Sequence, residues 1–433
     1  ASLLQDASSG YILFLLIMFL IGFGIKNAIW PLHTWLPDAH AEAVSPFSAV
    51  LSGILVRMGV YGFVLVMYSI IGLNLLHRLG YGILNFNYIF CWIGAISIIV
   101  GTFIALLQDD DKRLLAWHAI GQGGYMILGI SFGTTLGIAG GIFHTLNHCI
   151  YIALLFLVTG AVEYRTGGVR DLNQLGGLIK RMPVTFIGGL AGISGLIGIP
   201  LTNGFVSKWL IYKTLILEAH PFLAFVALIG TWGTILSVYK FLHNIFLGQL
   251  PEKYKDVREV PRTMQIPMIL LIIAVILFGI LPGIPLKVIS TIEKSFGIEP
   301  ISTTIFGVPK EIGELNMINI LAAIVAAGAF VYLAFSLSAK SRKVNQYDSY
   351  AAGTFVPEDR YQYSARFYDQ LYGIIQPYLH DVVDDFYNFL TEKSKSLFHS
   401  VRQIYTGNVN TYALYILLFL AFLIITKLGW GLW

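Results

Sequence analysis

Long apolar runs separated by short polar stretches dominate this chain. The runs are continuous and do not alternate between apolar and polar positions, which favours membrane-spanning helices over a β-barrel. Because a helix needs about 20 apolar residues to cross a bilayer, we predict an all-α, polytopic membrane helix bundle of about ten transmembrane helices. The predicted spans are residues 11–31, 45–72, 84–107, 112–132, 134–162, 184–217, 221–247, 264–290, 317–338 and 410–430.

The region between the ninth and the last span has a different pattern. Its apolar residues recur at intervals of three, four or seven, which is the period of an amphipathic helix. These residues are Phe367, Leu371, Ile374, Tyr378, Val382, Phe386, Leu390, Leu397, Val401 and Ile404. The other face is too polar to cross a bilayer. We predict a helix bundle over 1–338, a linker over 339–360, a long amphipathic helix over 361–405 and a transmembrane anchor over 406–433.

Composition excludes a water-soluble protein and narrows the chemistry. Of the 433 residues, 56% are hydrophobic and 12% are charged, whereas about 25% are charged in soluble domains. Cys91 and Cys149 lie inside apolar runs, so they indicate neither a disulfide framework nor a thiolate metal site. We find no cysteine cluster, glycine-rich nucleotide loop or flavin motif. We therefore expect no cofactor, no bound metal and no nucleic-acid partner.

Basic residues in the loops predict the orientation in a cell membrane. If ten spans alternate, most of these residues fall on one side: Lys112, Arg113, Arg165, Arg170, Lys180, Arg181, Lys253, Lys255, Arg258, Arg262, Lys340, Arg342 and Lys343. The opposite loops carry Arg78, Lys287, Lys294 and Lys310. By the positive-inside rule the first side is cytoplasmic. The first residue of this chain would then lie outside, and the amphipathic helix would lie at the cytoplasmic surface.

Two lysines lie within the predicted spans. An ionisable side chain at bilayer depth costs several kcal/mol, so it marks a candidate functional site. Glycine and proline near Lys26, and again before Lys208, predict helices that break inside the membrane and free backbone groups beside the charge. Such interrupted helices form ion sites in transporters built from repeats. The alternative is a lysine that snorkels to the membrane surface from a helix end.

Other basic residues lie at membrane depth. His144 and His148 are four residues apart and share one helix face, where they could relay protons, form a hydrogen-bonded structural pair or bind a metal. His118 has relay and structural alternatives. Arg57 lies in the middle of a span, and arginine hardly ever releases its proton. We interpret Arg57 as a fixed cation that tunes its neighbours.

Four stretches of the chain resemble one known family. They are Lys26 to Pro46, Asp111 to Met126, Phe143 to Leu157 and Gly198 to Leu210. Together they resemble the antiporter-like subunits of respiratory complex I, of Mrp cation/proton antiporters and of membrane-bound hydrogenases. The long amphipathic segment is similar to the lateral helix of the distal complex I subunit.

The resemblance implies two inverted five-helix repeats, each with a broken helix that bears a lysine. Lys26 and Lys208 match those two lysines, Arg57 matches a linking basic residue, and His144 and His148 match the histidines of the second repeat. Two departures stand out. Ile152 occupies a position where many members have a lysine. The family's first six helices, with the membrane glutamate that pairs with the first lysine, do not precede Lys26, so a longer chain or another subunit would supply them.

The sequence therefore predicts a proton- or cation-translocating, antiporter-like subunit of a multi-subunit redox complex. Its expected partners are the lipid bilayer, other antiporter-like and small membrane subunits and, indirectly, peripheral iron–sulfur subunits that carry the redox chemistry. Lys26 and Lys208 would exchange protons, with His144 and His148 as relays. Two alternatives stay open: a non-transporting scaffold, which Ile152 favours, and a stand-alone cation/proton antiporter.

Overall fold

A computed structural model gives the structure of the chain. It describes residues 8–72, 86–309, 314–337, 366, 368–375, 382–402, 405 and 407–429. The predicted linker over 339–360 lies outside these residues. The chain divides into two compact units, one ending at Tyr372 and the other beginning at Gly373.

The first unit is built almost wholly of helices, which confirms the predicted all-α class. They are α1 (Ser9–Asn27), α2 (Trp35–Glu42), α3 (Ser45–Val50), α4 (Met58–Val64), α5 (Phe86–Leu107), α6 (Asp111–Ser131), α7 (Thr135–Thr166), α8 (Pro183–Ile197), α9 (Asn203–Leu217), α10 (Pro221–Leu242), α11 (Arg262–Ile280), α12 (Gly283–Ser295) and α13 (Met317–Leu337). A short antiparallel hairpin pairs β1 (Gly307–Val308) with β2 (Leu315–Asn316). The long helix α7 is central, because α3, α6, α8, α9, α11 and α12 all pack against it.

Both predicted helix breaks are present. Helix α1 ends at Asn27, where Ala28 adopts a left-handed conformation with φ 53°, and α2 begins only at Trp35. Helix α8 ends at Ile197, where Gly198 has φ 86°, and α9 begins at Asn203. Glycine takes this backbone conformation without the steric penalty that a Cβ brings. At the second break, the carbonyl groups of Leu196 and Ile197 are at the helix end and accept hydrogen bonds from a side chain, Lys208.

Membrane crossing is supported by length and composition. Eight described helices are long and apolar enough to cross a membrane: Ser9–Asn27, Ser45–Ile71, Phe86–Leu107, Thr135–Thr166, Pro221–Leu247, Arg262–Ile280, Met317–Leu337 and Val409–Lys427. Helix α6 is buried and richer in polar residues, and the α8–α9 pair is interrupted. The count of about ten crossings therefore stays a prediction.

One predicted span ends earlier than expected. The span over 264–290 stops as a helix at Ile280, and α12 begins separately at Gly283. Leu281 precedes Pro282, and the residue before a proline is pushed away from helical backbone angles. Glu293 on α12 is buried and accepts a hydrogen bond from the Ile301 backbone N–H at 2.9 Å, which fastens the following segment to this helix.

The second unit contains most of the predicted C-terminal elements. Helix α14 (Asp369–Ile375) lies at the boundary between the units, and α15 (Val382–Arg402) and α16 (Val409–Gly429) follow. On α15, the apolar side chains of Phe386 and Leu390 are exposed. The residues between α14 and α15 lie outside the described ranges. A single long helix over 361–405 therefore stays a prediction.

Glycines bring α5 and α6 into close contact. A Cβ at Gly101 would lie 2.5 Å from the Gly121 backbone nitrogen, and one at Gly94 would lie 2.7 Å from the Gly124 carbonyl oxygen. Real Cβ atoms do not approach backbone atoms so closely. Helix α6 carries several of the polar side chains described below, so this contact fixes the position of the site.

We predict that Gly101→Ala destabilises the protein by about 1–3 kcal/mol, because the added methyl group forces the two backbones apart. The measurement is the midpoint of thermal unfolding in detergent, which should fall. Gly328→Ala on α13 is the matched control, because a Cβ there meets nothing within 4 Å. Equal midpoints for the two variants would contradict the close packing of α5 and α6.

Candidate ion-translocation site

Lys208 lies at the break between α8 and α9. Its side chain is 3% exposed, and Nζ donates hydrogen bonds to the carbonyl oxygens of Leu196 at 3.0 Å and Ile197 at 3.1 Å. These carbonyls are at the C-terminus of α8, where the helix dipole is negative. Nζ also lies 4.6 Å from the centre of the Tyr125 ring. The described surroundings therefore hold the cation with backbone dipoles and an aromatic face, and the snorkelling alternative does not fit its burial.

His144 links α6, α7 and α9 through hydrogen bonds. Its Nδ1 lies 3.0 Å from Ser207 Oγ, and its Nε2 lies 2.9 Å from Gln122 Oε1. The Ser207 hydroxyl can donate either to Nδ1 or to the Gly204 carbonyl oxygen at 3.1 Å. A neutral His144 takes the first arrangement and a protonated His144 the second. His144 can therefore gain or lose a proton without leaving either ring nitrogen unbonded.

His148 is buried one turn further along α7. Neither of its ring nitrogens has a hydrogen-bond partner among the described residues. Its ring packs edge-on against Tyr151, with centroids 5.3 Å apart, and Tyr151 donates to Gln122 Oε1 at 3.3 Å. One turn beyond His148, Ile152 is fully buried within an apolar cluster.

Arg57 is buried and held on several sides. Its Nη1 donates to Asn27 Oδ1 at 2.8 Å, and its Nη2 donates to the Ala119 carbonyl oxygen at 2.9 Å. Its Nε lies 3.4 Å from the Ser52 carbonyl oxygen. The guanidinium therefore joins the first helix break to α6 as a fixed positive charge.

The structure does not bring Lys26 into this network. Its side chain is exposed, and the neighbouring residue Asn27 contacts Arg57 instead. The buried residues of α1 form one stripe that includes Leu20, Gly24 and Asn27. Lys26 lies off this stripe, because residues two apart on a helix do not face the same way. Lys26 is therefore exposed among the described residues, and its role in ion movement stays a prediction.

His118 occupies a separate position. Its Nε2 lies 2.7 Å from Ser237 Oγ on α10, and its Nδ1 has no hydrogen-bond partner among the described residues. The metal alternative for the histidine pair gains no support, since the described residues contain no group of three or more His, Cys, Asp or Glu that could hold an ion. Arg57, His118, His144, His148 and Lys208 are all buried in the same unit.

Several polar residues of the site were missed from the sequence. Gln122 is the shared acceptor for His144 and Tyr151, and Ser207 bonds His144 from the residue before Lys208. Asn147 donates to Ser207 Oγ at 3.1 Å. One feature of the sequence could have indicated them: they lie inside apolar segments, next to a histidine or lysine or one helical turn away from it. Charged and titratable groups are conspicuous in an apolar segment, whereas uncharged polar residues are common there, so these residues were not predicted.

Glu259 was also missed, and it acts at the far end of α8. One carboxylate oxygen accepts hydrogen bonds from the backbone N–H groups of Val184 at 2.8 Å and Thr185 at 3.2 Å. The other accepts from the Thr185 hydroxyl at 2.6 Å. A carboxylate at a helix N-terminus satisfies free N–H groups and complements the helix dipole. Helix α8 therefore has an anion at its start and the Lys208 cation at its end.

Comparison with known proteins identifies relatives of this chain. The family described as NADH:quinone oxidoreductase/Mrp antiporter, TM, matches residues 2–236. NAD(P)H-quinone oxidoreductase chain 4 1 of Synechococcus sp. (strain JA-3-3Ab) is 35% identical over 271 residues, which cover 59% of this chain and 48% of the relative. Hydrogenase-4 component B of Escherichia coli (strain K12) is 35% identical over 280 residues, which cover 60% and 40%. The chain thus spans less than half the length of these two relatives.

A solved structure matches most of the chain. It is that of the membrane-bound sulfane sulfur reductase, an archaeal respiratory membrane complex. One of its chains superposes with a TM-score of 0.84 at 30% sequence identity, covering 98% of this chain and 70% of that chain. The two chains therefore share a fold.

We predict that Glu259→Ala lowers the stability of the protein by about 1–2 kcal/mol, because α8 loses the cap on its first N–H groups. Glu259→Gln should lose less, since its amide oxygen still accepts hydrogen bonds. Thermal unfolding midpoints in detergent measure the difference. Glu252→Ala is the matched control, because Glu252 is exposed and pairs with Lys255 at the surface. A Glu259→Ala midpoint equal to that of the control would contradict the capping role.

Proposed function

Because the chain belongs to the NADH:quinone oxidoreductase/Mrp antiporter transmembrane family, we propose that it is a proton- or cation-translocating subunit of a multi-subunit membrane redox complex. The observation that carries this proposal is Lys208, a buried amine at a helix break. It is hydrogen-bonded to backbone carbonyls and, within the part of the chain that the structure describes, has no carboxylate among its hydrogen-bond or ion-pair partners. An amine in such a place can both hold and release a proton, which a lysine paired with a carboxylate does less readily.

The proposed path runs from Lys208 toward the histidines. Ser207 precedes Lys208 and bonds His144, which bonds Gln122 in turn. His144 accepts and releases the proton through the two arrangements of the Ser207 hydroxyl. His148 continues the path along α7, where its ring nitrogens, which have no partner among the described residues, can bond water.

The remaining basic residues support this path in different ways. Arg57 stays charged and tunes the histidines electrostatically. His118 stays outside this path, with its Nε2 2.7 Å from Ser237 Oγ. Lys26 is exposed in this chain, so we propose that a neighbouring membrane segment or subunit covers it. Only then would Lys26 exchange protons at membrane depth.

Electron transfer would take place in other subunits. Peripheral iron–sulfur subunits would drive ion movement indirectly, through the membrane subunits next to this chain. The segment around Lys180 and the helix ends at Lys112 and Arg262 would face the cytoplasm, on the positive-inside rule. The membrane-bound sulfane sulfur reductase is a complex of this general kind, with which the chain shares its fold.

A second candidate function is a non-transporting scaffold. It is favoured by Ile152, which is buried in apolar packing where a lysine would continue the proton path. Both candidates place the chain in the same complex. They differ in whether Lys208 is needed for ion movement.

We predict that Lys208→Ala abolishes coupled ion movement without preventing assembly of the complex. Lys208→Arg should fail as well, because guanidinium hardly releases its proton. The measurement is proton uptake by inverted membrane vesicles, driven by the complex's own redox reaction and normalised to its electron-transfer rate. Lys213→Ala, on the same helix, is the matched control. Full uptake by Lys208→Ala would reject the transport role and leave the scaffold.

We also predict that α15 contacts a neighbouring antiporter-like subunit. Its polar face mixes Asp384, Asp385 and Glu392 with Lys395, which fits a protein partner better than an anionic membrane. Phe386→Ser combined with Leu390→Ser should weaken co-purification of the other membrane subunits. Glu392→Ser combined with Lys395→Ser is the control on the polar side, where these two residues form an exposed ion pair. Unchanged co-purification of the first variant would contradict this contact.

A further inference from the structure

One face of α7 leads from the buried histidines toward the end of the helix. His148, Ile152, Phe156 and Glu163 follow at intervals of four, four and seven residues, so they lie along the same face. Ile152 and Phe156 are fully buried and apolar. This face therefore has no imidazole, amine or carboxylate between His148 and Glu163. At 1.5 Å per residue, the interval is about 22 Å long.

His40 lies in the middle of this interval. It belongs to α2, and its ring stacks on the Phe156 ring with centroids 4.6 Å apart. Phe156 is about 12 Å along the helix from His148 and about 10 Å from Glu163. His40 is fully buried, and neither ring nitrogen has a hydrogen-bond partner among the described residues. Unbonded polar atoms are rare in protein interiors, so a second buried histidine in this state requires an explanation.

Glu163 forms the far end of the interval with Lys112. Their charged groups are 2.9 Å apart, with Lys112 buried and Glu163 29% exposed. The segment that follows His40 is fastened to this pair. Lys112 Nζ donates to the Ala43 carbonyl oxygen at 3.2 Å, and Ser45 Oγ donates to the Glu163 carboxylate at 2.9 Å. Glu163 therefore reaches the surface, and the chain from residue 40 to 45 connects it to His40.

We propose that His40 carries protons between the Glu163–Lys112 pair and His148, along a route that bypasses Ile152. This inference rests on the proposed function. His40 takes up a proton at one ring nitrogen and releases one from the other, so the imidazole returns to its neutral form after each transfer. Water completes the two intervals, because a single hydrogen bond spans only about 3 Å.

The route would allow protons to pass the isoleucine at position 152. A lysine at that place would put a proton-binding group on α7 itself, one turn from His148. In this chain α2 supplies the proton-binding group instead, through His40, which stacks on Phe156 one turn beyond Ile152. The His40 ring packs against Phe156, and the Glu163–Lys112 ion pair, through its partly exposed Glu163, connects the route to the protein surface.

The test is proton uptake by inverted vesicles that contain the complete complex, normalised to its electron-transfer rate. His40→Gln keeps a polar side chain but cannot carry a proton, so uptake should fall about tenfold. His148→Gln should show a similar loss. His220→Gln is the matched control, because His220 lies between Tyr88 and Phe132, away from this route. Its uptake should equal that of the wild type.

A second variant separates proton transfer from packing. His40→Ala leaves a space that free imidazole or pyrazole can fill. The two rings have nearly the same shape, but only imidazole binds a proton near neutral pH. Added imidazole should restore uptake by His40→Ala, and pyrazole should not. Equal restoration by both molecules would reduce His40 to a packing role and overturn the proposal.

Lys208→Ala, measured in parallel, keeps the two proposals apart. If Lys208→Ala abolishes uptake while His40→Gln retains the wild-type rate, the His40 route is wrong and the proposed function stands. If Lys208→Ala retains uptake, the proposed function fails, and the His40 route fails with it.

Discussion

The structure depends on one constraint: a positive charge inside a membrane bundle needs compensation from groups that are themselves inside. At Lys208 that compensation comes from the carbonyl oxygens of Leu196 and Ile197, which exist as free acceptors only because α8 stops there. The left-handed backbone at Gly198 makes this stop possible. The helix break and the lysine therefore require each other.

Helix α8 is stabilised by charged side chains at both of its ends. Glu259 satisfies the first N–H groups of α8, while Lys208 bonds its last carbonyls. Both charges interact favourably with the dipole of this helix. A loop residue far along the chain thus helps to hold the carbonyls that surround the lysine, and α8 is positioned by charge at both ends as well as by apolar packing.

The buried histidines on and around α7 are bonded in different ways. His144 is fully hydrogen-bonded, whereas His148 and His40 have unbonded ring nitrogens among the described residues. His148 lies one turn before Ile152 on α7, and His40 stacks on Phe156, one turn after Ile152. Lys26, by contrast, is exposed, and Asn27 makes the buried contact at the first break. The backbone is interrupted in a similar way at both breaks, but Lys208 is buried at the second break and Lys26 is exposed at the first.

The sequence by itself determined the class of fold, the two helix breaks and the burial of Lys208, because apolar run length and glycine or proline positions act locally. It also singled out His144, His148 and Arg57, since charge in an apolar segment is conspicuous. It could not place Lys26, whose burial depends on which stripe of α1 packs inward. Only the tertiary structure brought Gln122 to His144, Glu259 to α8 and His40 to Phe156. These partners are 22, 74 to 75 and 116 residues apart in sequence, and helix packing alone decides which distant residues meet.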